Sequence, residues 1–530
     1  MTGRTKICSA AITPLDIIRF RMRLQRYNLF HYPQAFFLIF SKKSFWTRKK
    51  ILFLQQFNSL KHIKMKYFRP LLAAVFVVVF GFTTFGQKAF ENSLSAPSDS
   101  IGPIYLDMPL VTLPAQIQAY NTTGGFFSSY MNPGMENSLA YSTDFYTATH
   151  FGLKKALNFK SKFWSTFSQR MVISLFDVVV MQMPLAVSWL HEEYHRGVMT
   201  QYGVNSFNEV LLFKIGSGSI AVSHETDEDM TMLCDQYHPD FVRLMSAGHE
   251  GVVDLNRNLQ TNEFFYHQNL DNEVLYWMHS FQNIIYIFGC ATGSGDAGMQ
   301  ERNEVEVNIE DRDFTGMDMN AWVDALWSPE KPYAARGIHP SGNGINRYIM
   351  TADLPDECVQ YLFKQAKLDL FNFVSPMMFG FTRFRLADTD NGTYYGNFAF
   401  RHYLTSFGDD VSLDLYLQAP WANLYTTLHS YNNYNHHFGG LEVGLIDFPL
   451  LDNRLLVGGT LMGWIQPKDH LFQTATGAFG GLVKARLSYN SRIVDPYVEM
   501  GWKSDGWVAG NANLNEGFFM KAGLRWQINP

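Results

Sequence analysis

Cysteine is scarce in this 530-residue sequence: there are four, at Cys8, Cys234, Cys290 and Cys358. No Cys-x-x-Cys pair or cysteine framework exists, so neither redox chemistry nor a thiolate metal site is supported. Downstream of residue 65 there is no basic stretch, and the formal net charge is −5. The electrostatic footprint of nucleic-acid binding is therefore missing, and nucleic acid is excluded as a partner. Charge of either sign is thin, at 17% of residues, whereas aromatic residues reach 15% and apolar residues 47%. That balance allows sizeable cores and leans toward an envelope or membrane setting.

Residues 65–86 carry the layout of a secretory signal peptide. Lys66 and Arg69 precede an almost wholly apolar run from Leu71 to Phe82, followed by Thr83, Thr84, Phe85 and Gly86 before Gln87. The run is shorter than the roughly 20 apolar residues a membrane-spanning helix needs. Residues 1–64 have no place ahead of such a signal, so translation is expected to start at Met65, with 1–64 a non-native upstream extension.

The exported chain divides by period. Residues 87 to about 150 are rich in Ser, Asn, Gly and Tyr and read as mixed loop and strand. From Leu153 to Gly197 the pattern is helical and very apolar, with Asp177 and Gln182 favouring a helix buried in protein over one facing lipid. A strand-like stretch runs from Val210 to Val222. Helical segments follow near 240–259, 273–288 and 358–370, with an acidic, solvated surface segment at 301–313. From about Met377 onward, nine segments alternate with period two. Val411, Leu413, Leu415 and Leu417 alternate with Ser412, Asp414, Tyr416 and Gln418; Val483, Ala485 and Leu487 alternate with Lys484, Arg486 and Ser488.

Strands of about ten residues with one apolar face resemble those of the outer-membrane β-barrel class. The resemblance implies Val483, Leu487, Met520 and Leu524 facing lipid and Lys484, Arg486, Lys521 and Arg525 facing a lumen, with Asp414, Glu442 and Glu499 as their partners. Nine is an odd count for such a barrel, and a further strand before Leu153 would restore an even one. A soluble antiparallel barrel or sandwich is the other reading of the same alternation.

The sharpest local signal is His191-Glu192-Glu193-Tyr194-His195. On a helix, positions i and i+4 share a face, so both imidazoles can reach one zinc ion, with Glu192 beside them as a general base. Val187, Leu190, Tyr194 and Val198 supply an apolar stripe at helical spacing. A second helical segment contains His249, Glu250 and Asp254.

This pairing of motifs resembles the gluzincin zinc metallopeptidases of the thermolysin type. The resemblance implies Zn²⁺ held by His191, His195 and Glu250, Asp254 orienting a ligand histidine, and Glu192 as the catalytic base. His249 stands where that family has Asn, so it remains the alternative third ligand. Tyr237, His238, His267 and His339 are all open as oxyanion donors.

The expected fold is thus α+β: a zincin-like helical domain over 87–370, then an all-β antiparallel transmembrane barrel of about 8 to 10 strands over 371–530. The expected function is a zinc-dependent hydrolase, a metallopeptidase acting on peptide or protein and tethered to the outer-membrane lipid. The alternative is an outer-membrane pore, scaffold or assembly factor with a non-catalytic metal-binding domain.

Overall fold

The computed structural model describes residues 101–115, 132–210 and 220–529. The expected signal peptide, the 1–64 extension and the centre of the 210–222 stretch lie outside the described residues. Nine α-helices are described: α1 (Gly134–Ala156), α2 (Lys162–Val180), α3 (Val187–Gln201), α4 (Asp227–Gln236), α5 (His238–Tyr266), α6 (Glu273–Thr292), α7 (Asp296–Val305), α8 (Asp318–Trp327) and α9 (Asp356–Leu368). Strand β1 (Ile104–Leu113) precedes them, and the small hairpin β2 (Phe207–Val210) and β3 (Ile220–Ser223) lies between α3 and α4. Nine strands then follow as a meander: β4 (Phe384–Thr389), β5 (Gly392–Thr405), β6 (Gly408–Gln418), β7 (Asn423–Asn433), β8 (His436–Leu450), β9 (Leu455–Pro467), β10 (Gly477–Tyr489), β11 (Val494–Lys503) and β12 (Gly517–Ile528).

Strand β1 pairs antiparallel with β12, making a ten-stranded sheet in the order β1-β12-β11-β10-β9-β8-β7-β6-β5-β4. The tenth strand therefore comes from the region before Leu153. The expectation of a closed barrel is corrected: edge strands β1 and β4 are not paired with each other. Strand β4 is only 6 residues long and covers β5 no further than Gly396, too little to carry the ladder round to β1.

The sheet is turned inside out relative to a soluble one. Its polar face is buried: Ser412, Asp414, Thr427, Glu442, Thr460, Asp495, Glu499 and Arg525 all lie there, while Leu415, Leu428, Leu441, Val443, Leu461, Val483, Leu487, Val498 and Met500 are exposed on the other. Helix α5, 29 residues long and almost wholly buried, runs along the polar face. Asp254 accepts hydrogen bonds from Tyr194 of α3 (3.0 Å) and Tyr403 of β5 (3.1 Å), and Tyr266 donates to Asp447 of β8 (2.7 Å). Arg257 reaches Glu442 at 2.9 Å and Asp414 at 3.5 Å, and donates to Thr427 at 3.0 Å. Pairing of this kind is what buried charge requires. Glu499 serves both Lys484 and Lys521, each at 3.8 Å, but the other strand cations have different partners from those expected. Arg486 reaches Asp107 of β1 at 3.4 Å, and Arg525 reaches Asp447 at 2.7 Å.

The remaining differences from the sequence reading are local. Helix α1 occupies a region read as loop and strand. The acidic segment at 301–313 is not simply solvated, since Arg302 contacts Glu306 at 2.5 Å and buried Asp313 at 3.3 Å. Cys234, Cys290 and Cys358 are buried, free thiols.

Arg257→Met removes the cation nearest Glu442 while Arg401 still faces Asp414 at 3.0 Å. The expected cost is about 3 kcal/mol, at the lower end for a broken buried pair, read as a lowered midpoint in chemical denaturation. An unchanged midpoint would show that the seam between α5 and the sheet is not held by this charge.

Candidate metal centre

The His-Glu-x-x-His segment lies on α3, with Val187, Leu190, Tyr194 and Val198 all fully buried, so the apolar stripe anchors the helix and fixes the direction of both histidines. Their rings are 4.9 Å apart, centroid to centroid. The carboxylate that meets them is Asp318, at the first turn of α8: its Oδ2 lies 3.1 Å from His191 Nε2 and 3.5 Å from His195 Nε2.

His195 Nδ1 lies 2.6 Å from the carbonyl oxygen of Leu244. A carbonyl only accepts, so Nδ1 carries the proton and Nε2 presents a lone pair toward Asp318; that Nε2 is buried and has no hydrogen-bond partner. An imidazole fixed through its far nitrogen with an unused near nitrogen is the arrangement a metal ligand needs. Two imidazole nitrogens and one carboxylate oxygen match the donor set of catalytic zinc sites that keep a fourth position open.

The electrostatics agree with this donor set. Burial alone would raise the Asp318 pKa, but positive charge at His195, which a proton brings and a bound cation would replace, together with the His191 hydrogen bond holds the carboxyl ionised, well below the usual carboxylate range. Burial lowers the His191 pKa, keeping that ring neutral and able to ligate. Glu192 is pushed well above the ordinary glutamate value by burial, and further by the charges of Asp318 and Asp313. A carboxylate so placed gains affinity for a proton, the property a general base uses.

Glu250 is not brought to the histidine pair. Gly248 is the α5 residue that faces His191, and a Cβ there would overlap the imidazole ring. Two residues further on, at about 100° per residue, Glu250 points to the opposite side of the helix. There it meets Arg243 at 2.8 Å and accepts from Gly510 N at 2.7 Å and Trp507 Nε1 at 3.2 Å. Asp254 follows it to the sheet side, bonded to Tyr194 and Tyr403. His249 turns elsewhere again and forms, with Asp369 (3.0 Å) and His402, a second buried His/Asp group that is separate from the α3 pair.

The four oxyanion candidates are held by other partners. His238 bonds the carbonyls of Cys234 and Ala325, His267 bonds Gln418 and Arg383, His339 bonds Ser341, and Tyr237 packs on Tyr202. Tyr286 of α6 is the phenol at the site: its ring centroid lies 6.2 Å from that of His191, and its oxygen accepts from Asp318 N at 3.0 Å. Asp318 and Tyr286 escaped the sequence reading because neither sits at a fixed spacing from the pentapeptide. The only local signal was the polar Asp318/Asn320 pair opening a helix whose one other polar residue is Asp324.

No protein-family model, curated protein or solved structure matches the chain.

Metal analysis of the wild type, His195→Ala, Asp318→Ala and Glu250→Ala is expected to show bound zinc lost in the first two variants and retained in the third. Gly248→Ala, which drives a methyl group into His191, should weaken zinc by at least about tenfold, the scale on which disturbing a ligand's support acts. Affinity should also fall as pH drops below about 6.5, where protons compete for the imidazoles. A depressed His191 pKa delays that fall on the acid side. Zinc retained by Asp318→Ala would remove Asp318 from the ligand set.

Proposed function

We propose that the chain is a zinc-dependent hydrolase, a metallopeptidase, held in the outer membrane. The observation that carries the hydrolase reading is the convergence of His191 Nε2, His195 Nε2 and Asp318 Oδ2, with Glu192 next in sequence to the first ligand. The gluzincin resemblance contributes the roles of His191, His195 and Glu192, with Asp318 taking the place expected of Glu250. Bound there, zinc supplies Lewis acidity and a water of lowered pKa. Glu192 accepts a proton from the attacking water and passes it to the leaving amine, its proton affinity raised by burial and by Asp313. Tyr286, with its oxygen accepting from Asp318 N, keeps its own hydroxyl proton to donate to a developing oxyanion.

The membrane reading rests on the inverted sheet. Leu461 is 63% exposed while Glu442, on the opposite face of the neighbouring strand, is 8% exposed. Strands of 10 to 15 residues from β5 to β12 are long enough for the hydrocarbon layer. No helix among the described residues is long and apolar enough overall to cross a membrane. Helix α5 along the inward face speaks against an open pore, and the metal donor set speaks for the enzyme over a bare scaffold.

Glu192→Gln is expected to keep stoichiometric zinc and to lose peptide hydrolysis by at least about a hundredfold, since it removes the base without touching a ligand. Activity near wild type would sink the assignment of Glu192. In the sheet, Leu487→Arg should cost about 2–4 kcal/mol of membrane-folded stability near mid-layer, with Arg486→Leu tolerated better. Recovery of the whole protein in the soluble periplasmic fraction would defeat the membrane reading.

A further inference from the structure

The sheet leaves a gap between β1 and β4, and hydrocarbon tolerates no unpaired strand edge. The short strand β4 is itself exposed, but β1 and the part of β5 beyond Gly396 are met by other parts of the chain. Beyond Gly396, the outer edge of β5 is met by residues 372–382: Phe400 N donates to Val374 O (2.9 Å), His402 N to Asn372 Oδ1 (3.0 Å), and Asn397 Nδ2 to Phe381 O (2.8 Å). At the other side β1 packs on α1, where Thr112 donates to Asn137 at 3.0 Å. Helix α1 packs on α2, α2 on α6, and α6 on residues 369–373, which lie against β5. The helices thus form a continuous wall from one sheet edge to the other.

Helix α2 within this wall is inverted in the same sense as the sheet. Apart from exposed Lys162 at its first residue, its charged residues point inward: Asp177 is fully buried against His150 at 2.8 Å, and Arg170 contacts Asp271 at 3.4 Å. Asp177 thus lies on the protein side of a helix whose other side is open, which corrects the expectation that the segment is simply buried. Trp164, Phe167, Met171, Leu175 and Val178 fall within about 80° of arc and are all exposed. The 19 residues of α2 span about 28 Å, close to the thickness of the hydrocarbon core. On either side the exposed apolar surface continues, through Met108 and Leu110 of β1, Ile285 and Phe288 of α6, and Leu370 and Phe371.

We infer that α2 is a lipid-facing stave: it closes the wall that the strands leave open, and its Trp164–Val178 stripe lies against lipid acyl chains in continuity with the outer face of the sheet. The inference rests on the membrane reading above and extends it to a helix. The stripe needs no overall hydropathy, because only one side of α2 meets lipid, Arg170 and Asp177 are neutralised on the other, and Lys162 lies at the helix end.

The test is site-directed spin labelling of the full protein in phosphatidylcholine/phosphatidylglycerol vesicles. Labels are placed singly at Phe167→Cys, Met171→Cys and Leu175→Cys on α2, at Leu461→Cys and Leu487→Cys on the sheet, and at Asp452→Cys in the exposed turn after β8. Expected on α2 is the sheet pattern, with relaxation by oxygen high and relaxation by a water-soluble nickel chelate lost relative to Asp452. Sheet labels in lipid with α2 labels open to nickel would overturn the inference and leave the membrane reading standing. Labels of both sets open to nickel would defeat both. α2 labels shielded from oxygen and nickel alike would mean that a second copy or another protein covers the stripe, which also overturns it. Three positions are used so that one poorly folding variant does not decide the outcome.

Discussion

Arg257 of α5 sits between Glu442 and Asp414, and around it Asp254, Tyr266, Tyr403 and Arg401 form a polar seam between one long helix and the inward face of the sheet. The rest of the structure depends on this seam. A sheet that turns its carboxylates, arginines and tyrosines inward cannot be backed by an apolar layer, because each group would be left without a partner at a cost of several kcal/mol. Helix α5 meets the requirement by carrying polar side chains on its sheet side and small or apolar ones toward α3. The sheet's apolar side chains are left facing outward as a consequence.

The same helix backs the candidate metal centre. Gly248 gives His191 its space, and the Leu244 carbonyl fixes His195 from behind, so two of the three proposed ligand positions are set by consecutive turns of α5. Asp318 arrives on α8, whose Trp322 donates to the carbonyl of Thr405 at the end of β5 (3.0 Å). Displacement of α5 against the sheet would therefore be felt at the three candidate ligands, which couples the site to the fold through short, directional contacts.

What could be read in the sequence follows from where apolar and polar residues face. The α3 stripe and the β6 to β12 alternation were legible because each element has one apolar face, whether that face is buried or exposed. Helix α1 was not, because its buried face is polar: Asn137, Ser138, Ser142, Thr143, Thr147 and His150 pack inward and leave no hydrophobic period to detect. The openness of the sheet was equally hidden, since alternation reports the faces of a strand and is silent about its edges. At the site, the helical i, i+4 pair was legible from spacing alone. Asp318 lies more than a hundred residues downstream and was not, and the nearer Glu250 drew the assignment although helical geometry turns it away from Gly248 and His191.

The pairing of β1 with β12 has a consequence for folding. Ile104 lies opposite Ile528, so the ladder joins residues from near the two ends of the described residues, with every described helix threaded between them. Among the described strands β1 is separated in sequence from its partner β12 by all the others and must wait for it, while β4 to β11 can add one hairpin at a time. Non-local closures of this kind are slow because the chain entropy is lost before the contacts form. An inward-facing polar seam and an outward apolar surface are both exposed in that interval. A truncation that removes only β12 would strand β1 as well.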